Sequence, residues 1–301
     1  MDWKARYVRV CFVRGTLLER CGMFDLTEAP EYRLLRPPLV QAIGQVKFPV
    51  RARLATLEGI APVQDRLNAF FPYMKQQQVQ QVSLLVGPTG PPVAEGQSAQ
   101  TWRFDDDAGW TLVISADSAT LSVGADYGSF ETFSVRLRAV LEALVNGAGM
   151  TRVDRLGVRF VNIAEVLPGE PDSWRDWFKP EVVGWTATEV LAQGTRLMTS
   201  ITQSQLAAPP DGELSGPPVD IQAIIRHGYV PAKTMLPGVL TSPSENPAYL
   251  LDMDIFVDAP QPFDVDEMSR QLTMLHHQID RFFYWSLAPA GRVHFELEER
   301  T

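Results

Sequence analysis

Cysteine is nearly absent: the 301 residues hold two, Cys11 and Cys21, both close to the N-terminus. A disulfide scaffold is therefore excluded, and the near-absence of thiols predicts a reducing, cytoplasmic setting. Long hydrophobic runs are missing too. The apolar stretch from Tyr7 to Val13 is interrupted by Arg9 and followed by Arg14, whereas a membrane span needs roughly 18 to 20 apolar residues in a row. The same arginines spoil a secretory leader, and no membrane association is expected. The signatures of metal and nucleophile chemistry are also lacking: there is no HExxH, no paired CxxC, no EF-hand spacing and no GxSxG. The loop Gly87 to Pro92 superficially resembles a phosphate loop, but no Lys-Ser/Thr pair follows and its prolines remove amide donors. No cofactor or metal is implied.

What is present is a globular composition, 45% hydrophobic and 21% charged, enough to bury one large or two small cores. The net charge of −9 has the wrong sign for a chain that neutralises phosphate, so nucleic acid is an unlikely partner. Such a role would need a basic stripe hidden in the total, for example Arg136, Arg138, Arg152, Arg155 and Arg159. The first 22 residues depart from the rest, with five basic residues against Asp2 and Glu19. We expect residues 1–29 to be an extension outside the fold, either a disordered tail or upstream sequence preceding a start at Met23. A basic arm for a partner or a membrane surface is the functional alternative.

Alternation of apolar and polar residues predicts a strand over 40–48, launched by Pro37-Pro38, and further strands at 79–86, 100–105, 110–116, 119–124 and 153–163. A helix is expected around 54–71 with Pro62 in its first turn. A second is expected over 130–146, capped by Ser129 and stopped by Gly147, with Phe133, Leu137, Val140, Leu141 and Leu144 on one face. The proline-broken stretch 167–185 reads as a connector with one helical turn capped by Ser173. Residues 187–206 are β-like, and strands follow at 219–230 and 249–257. A final helix over 264–286 opens on Asp264 and Glu267, which resemble a capping box. A last strand is expected at 292–298, after Ala288 to Gly291 stops the helix.

Each half thus runs through antiparallel strands, a long amphipathic helix and one more strand. The predicted class is α+β, two antiparallel-sheet-plus-helix halves packed as one unit with a possible structural duplication. The first half spans 30–166, a Trp/Pro-rich connector 167–186, and the second half 187–301.

The opening PPLVQAIGQVKFP (Pro37 to Pro49), the segment ending in NAFFP (Asn68 to Pro72), the paired strands around WRFDDDAGWTLVIS, the strand RLGVRFVN (Arg155 to Asn162) and the late LHHQIDRFF (Leu275 to Phe283) resemble a sporadically distributed prokaryotic family of uncharacterised proteins. The resemblance would cover residues 30–298. It implies scattered distribution with frequent horizontal transfer, as in phage-defence or mobile-element cargo, and carries no activity or catalytic residue with it.

The weak catalytic candidates are His227, Asp252, Asp254 and His276. His276 precedes Asp280 by one helical turn, so the pair reads as an imidazole with its orienting carboxylate, as half of a metal site with Asp252 and Asp254, or simply as a helix-flank pair beside His277. His227 shares a strand face with Ile221, Ala223, Ile225 and Tyr229 and is either a buried, hydrogen-bonded histidine or a pocket base. Asp252 and Asp254 lie on one strand face two residues apart and are either an acid/base pair or a polar sheet surface facing Arg226. Asp105, Asp106 and Asp107 fit a hairpin turn better than a calcium loop. Trp174, Trp177, Phe178 and Trp185 either close one end of the core or anchor a protein partner. The expected function is a non-enzymatic interaction or regulatory component of an accessory system with an unidentified protein partner. The alternative is a small-molecule binder or enzyme with a pocket between the halves.

Overall fold

The computed structural model describes residues 23–26, 29–85, 93–169, 173–188, 190–208, 221–236, 239 and 243–299, with main chain alone at 79–85, 93–99 and 187. The first helix, α1 (Leu57–Leu67), follows strands β1 (Tyr32–Leu34) and β2 (Leu39–Lys47). Strands β3 (Tyr73–Leu85), β4 (Val93–Asp105), β5 (Trp110–Ile114) and β6 (Ser118–Val123) then form a meander that leads into α2 (Phe130–Ala148) and β7 (Arg152–Glu165). The connector holds the one-turn helices α3 (Trp174–Trp177) and α4 (Pro180–Val183). Strands β8 (Thr202–Ala208), β9 (Ile221–Val230) and β10 (Ala248–Pro262) precede α5 (Val265–Ser286), α6 (Pro289–His294) and β11 (Leu297–Glu299). The protein is α+β, as the order of elements predicts.

The halves do not keep separate sheets. Nine strands form one antiparallel sheet in the order β3-β4-β5-β6-β2-β7-β10-β9-β8, and β1 pairs with β11 as a small second sheet. The join is β7 with β10, which runs from Ala248 opposite Glu165 to Pro262 opposite Arg152 with one irregularity near Asp258. Because strand residues alternate in direction, this register sorts side chains onto two faces. One face carries Ala42, Val46, Leu156, Val158, Met253 and Ile255, all buried. The long helices cover that face. At Gly44 a β-carbon would stand 2.6 Å from Leu137 Cδ2, so its missing side chain is what lets α2 approach β2. The other face presents Gln45, Arg155, Arg159, Asp252, Asp254 and Arg226 and carries no long helix among the described residues.

Local signals explain the helix ends. The Ser129 hydroxyl accepts from Thr132 N and starts α2, and Gly149 in the left-handed region ends it, two residues beyond the expected stop. Asp264 Oδ1 accepts from the amides of Asp266 and Glu267 at the start of α5. The Ser173 turn forms as expected, with the reciprocal Asp176 bond to Ser173 N. The Asp105–Gly109 turn is likewise a hairpin, in which Asp106 Oδ1 accepts from Ala108 N and Trp110 N.

Several expectations need correction. Pro62 lies inside α1 rather than in its first turn, because Thr56 caps the helix earlier, accepting from Gly59 N. Of the β-like residues, 187–188 and 190–201 form no strand. The ladder with β9 begins only at Thr202 opposite His227, since the chain crosses tightly at Gly228, whose φ is +148° and where a β-carbon would meet Ser200 O at 1.8 Å. Of the strand expected at 292–298, residues 292–294 belong instead to α6, which Pro289 initiates, and the strand is confined to its end, where β11 takes in 297 and 298. Residues 1–22 and 27–28 of the expected extension, and the loop Gly87 to Pro92, lie outside the described residues. Met23–Leu26 do pack on α5: Met23 N donates to Gln278 Oε1, Phe24 meets Phe282 at 4.9 Å, and Arg281 donates to the Leu26 carbonyl.

Helix α6 grips the connector at Gly291, where a β-carbon would fall 2.0 Å from the Trp177 carbonyl oxygen. That neighbour is main chain and cannot rotate away. Gly291→Ala should cost about 1–3 kcal/mol of stability by overpacking, read from urea unfolding midpoints. An unchanged midpoint would show that α6 and α3 are not held this closely.

Candidate functional site

The face of the sheet turned away from α2 and α5 holds a connected group of charged side chains. Arg159, on β7, donates from Nε and Nη2 to both oxygens of Asp252 on β10, at 2.7 and 2.9 Å. Arg226, on β9, reaches the same carboxylate from the other side at 3.1 Å. Arg155 donates to both oxygens of Asp254 at 3.0 Å and to Gln45 Oε1 at 2.8 Å, while lying 4.1 Å over the Phe256 ring. Gly157 makes room for this, since a β-carbon there would sit 2.7 Å from Phe256 Cβ. Arg226 Nε extends the chain of contacts to Gln203 on β8. Five strands are thus laced across one face.

Burial and charge oppose each other within this lattice. Asp252 is 2% exposed, so each guanidinium returns part of the solvation its carboxylate loses; stripping one partner from such a buried pair generally costs about 3–5 kcal/mol. Burial would lower the Arg159 guanidinium, but the hydrogen bonds and charge of Asp252 outweigh it and hold it above its ordinary value. Burial pushes the Asp254 carboxyl up despite Arg155. Both carboxylates are occupied by guanidinium groups, an arrangement suited to a fixed polar surface and not to moving protons. Asp252 and Asp254 therefore belong to a sheet-face ion-pair lattice. Sequence reasoning anticipated Arg226 as a partner and missed Arg155 and Arg159, which it had placed in a basic stripe.

That stripe does not exist as one surface. Arg136 pairs with Asp106 at 2.8 Å and lies over Trp110, Arg138 bonds Glu142 and Asp266, Arg152 bonds Asp154, and the last two face Asp254 and Asp252. Each positive charge has a carboxylate beside it.

The two candidate histidines lie on the opposite face from the aspartates. His227 is registered against Leu251, one position along from the Arg226–Asp252 pair, and so points to the helix-bearing side. Its Nδ1 is 3.0 Å from the Tyr249 hydroxyl, which itself donates to the Val182 carbonyl at 3.2 Å. Burial lowers its pKa. His276 is stacked on Phe130 at 3.8 Å between ring centroids and meets Phe160 edge-on at 5.3 Å. Burial, followed by the neighbouring His277, lowers its pKa to about 3. Asp280 accepts from the Tyr32 hydroxyl at 2.7 Å. The pocket in which His227, His276, Asp252 and Asp254 would meet does not form, because strand alternation sends His227 and the aspartates to opposite sides of one sheet, and His276 belongs to α5, which packs on the side of His227. Nor does any group of three or more metal-ligating side chains occur among the described residues.

The aromatic connector divides. Trp174, Trp177 and Phe178 are 3%, 0% and 1% exposed, so they are core and cannot serve as surface anchors. Trp174 stacks on Tyr249 at 5.2 Å, Phe178 packs on the same ring at 4.8 Å, and Trp177 stacks on His294 at 3.8 Å. They close the β9–β10 end of the core. Trp185 alone remains outside, 57% exposed. It opens a run that the sequence reading missed: Val190, Met198, Ile201 and Leu206 are also exposed, at 63%, 67%, 50% and 37%. Their β-like composition hid them, since a strand would have buried alternate members.

No family model and no curated protein matches the chain. No helix among the described residues is long and apolar enough to cross a membrane.

The His276 environment has a measurable consequence. An imidazole held neutral in the fold and titrating near its ordinary value when unfolded stabilises the protein above about pH 6.5, and that contribution is lost as pH falls toward about 3. Between about pH 7 and pH 5 the wild type should lose about 2 kcal/mol more unfolding free energy than His276→Phe, which keeps the stack. Equal losses in urea titrations at the two pH values would contradict the buried, neutral assignment.

Proposed function

We propose that this chain is a non-enzymatic, cytoplasmic interaction component that recruits a protein partner to the β8 edge of its sheet. The observation that carries the reading is that edge itself. β8 stands last in the strand order and pairs only with β9 among the described residues. Residues Thr202 to Ala207 are all exposed. Natural edge strands are usually blunted by lysine, proline or a bulge. β8 has none of these: its sequence, TQSQLAA, is uncharged and its ladder with β9 is regular.

The approach to the edge is equally unusual, since Trp185, Val190, Met198, Ile201 and Leu206 fall within one stretch of chain and account for five of the thirteen exposed large hydrophobic residues among those described. An extended partner segment pairing with β8 would gain main-chain hydrogen bonds from the edge and apolar contacts from these side chains. Trp185 is then the anchor that survives from the aromatic connector. The Arg–Asp lattice, which reaches β8 through Gln203, holds the edge in place. The family resemblance and the scarcity of cysteine support an accessory, defence or mobile-element setting for that partner.

The test is native mass spectrometry of the tagged protein, purified gently from its own host as wild type and as the double variant Trp185→Ala, Leu206→Lys. A stoichiometric second protein that the wild type carries and the variant loses, with unchanged circular dichroism, is the expected result. Wild-type protein without a partner, or a partner equally retained by the variant, would overturn the proposal.

A further inference from the structure

The ion-pair lattice is not balanced across its width. Arg155 takes both oxygens of Asp254, and Arg159 takes both oxygens of Asp252. Arg226 is left to share Asp252 Oδ2, which already accepts from Arg159, at the longer distance of 3.1 Å. Its side chain is also the least buried of the three guanidinium groups, 33% exposed against 13% for Arg155 and 17% for Arg159. The lattice therefore ends toward β8 on a positive charge that its two carboxylates do not fully match.

Gln203 carries that charge to the edge. It stands opposite Arg226 in the β8–β9 ladder, and Arg226 Nε donates to its Oε1 at 2.8 Å. A guanidinium can only donate, so this bond fixes which end of the amide faces Arg226 and turns the Nε2 donors away from it. Those donors meet no protein group among the described residues, and Gln203 is exposed on the last strand of the sheet. A residue beside Gln203 on an added strand would point to the same face, with its β-carbon about 4.5–5.5 Å away. Amide donors backed by a guanidinium favour an acceptor that carries negative charge, since charge-assisted hydrogen bonds are the stronger ones.

The other side of β8 favours the opposite chemistry. Ser204 and Leu206 are registered against Ile225 and Ala223, both buried on the helix side. The connector packs on that side too, through Trp174 stacked on Tyr249. A segment laid along β8 thus meets a cation-backed donor on one face and Leu206 on the other.

We propose that Gln203 is the specificity-determining residue of the β8 edge, and that the partner segment it selects is an alternating one, apolar where it flanks Ser204 and Leu206 and carrying an aspartate or glutamate beside Gln203. This rests on the reading of β8 as the docking edge. The net charge of −9 opposes an acidic segment at long range, but physiological salt screens exposed charges beyond roughly 8 Å. At contact distance the donors of Gln203 and Arg226 decide.

The probes are three labelled seven-residue peptides that alternate valine with threonine and replace the central threonine by glutamate, glutamine or lysine, titrated against the full chain by fluorescence anisotropy. The wild type should bind the glutamate peptide about tenfold more tightly than the lysine peptide, with the glutamine peptide between them. Salt at about 0.5 M should narrow that gap. Gln203→Glu keeps an acceptor for Arg226 but replaces the amide donors by a carboxylate oxygen, and it should reverse the order. If circular dichroism shows that variant to be unfolded, Gln203→Thr, which removes the amide, should bring the three affinities together. A wild type that binds the glutamate and lysine peptides equally or prefers lysine, or a glutamate preference that survives these variants, would overturn the proposal and leave β8 as a docking edge. No binding by any peptide, or binding that Leu206→Lys leaves unchanged, would overturn the β8 reading and this inference with it.

Discussion

The pairing of β7 with β10 is the contact on which the rest of the molecule depends. It brings together strands whose nearest ends, Glu165 and Ala248, are far apart in the chain and turns two successive meander-and-helix segments into one sheet. Once that register is set, the apolar members of both strands face α2 and α5, and the polar members meet each other on the far side. Both ion pairs are offset contacts of this one ladder: Arg159, opposite Asp254, reaches the next carboxylate along at Asp252, and Arg155, opposite Asp258, reaches over Phe256 to Asp254. A slip of one residue would turn every one of these side chains to the wrong face. The ion-pair lattice therefore acts as a register device as well as a surface: charged side chains turned beneath the helices would be buried without partners, a large cost.

The same alternation decides the fate of the candidate residues. His227 and His276 fall on the helix side, where aromatic rings surround them and neutral imidazole is favoured. Asp252 and Asp254 fall on the open side, where arginines from two neighbouring strands reach them. The connector aromatics fill the space between the end of β9–β10 and α6, which is why Tyr249 serves as the common wall for Trp174 and Phe178. These groups are committed to packing and ion pairing, whereas the apolar run beginning at Trp185 is exposed.

Much of this architecture is legible in the chain itself. The stripe of Phe133, Leu137, Val140 and Leu144 and the cap at Ser129 define α2, and the alternation of Ala42 to Val46 defines β2. The turn at Asp106 and the cap at Ser173 are equally local, each set by one side chain bonding amides within a few residues. What is not legible depends on contacts between distant segments. The stretch 187–201 has strand composition, but its would-be ladder ends where Ser200 crosses Gly228. Residues 289–294 form a helix because Pro289 starts it and Trp177 receives it at Gly291. The partners of Asp252 and Asp254 become visible only when β7 is known to lie beside β10, since the two strands are joined through the connector, β8 and β9.

If the β7–β10 ladder is the element that makes two halves one cooperative unit, native-state hydrogen exchange measures it most directly. The account predicts that amides in the centres of β7 and β10 are the slowest in the protein and exchange only by global unfolding, with α2 and α5 opening at the same free energy. Exchange in which the segment from β8 to α5 opens well below the free energy of the segment from β2 to β7 would contradict it, since each half would then be holding itself together without the shared strand pair.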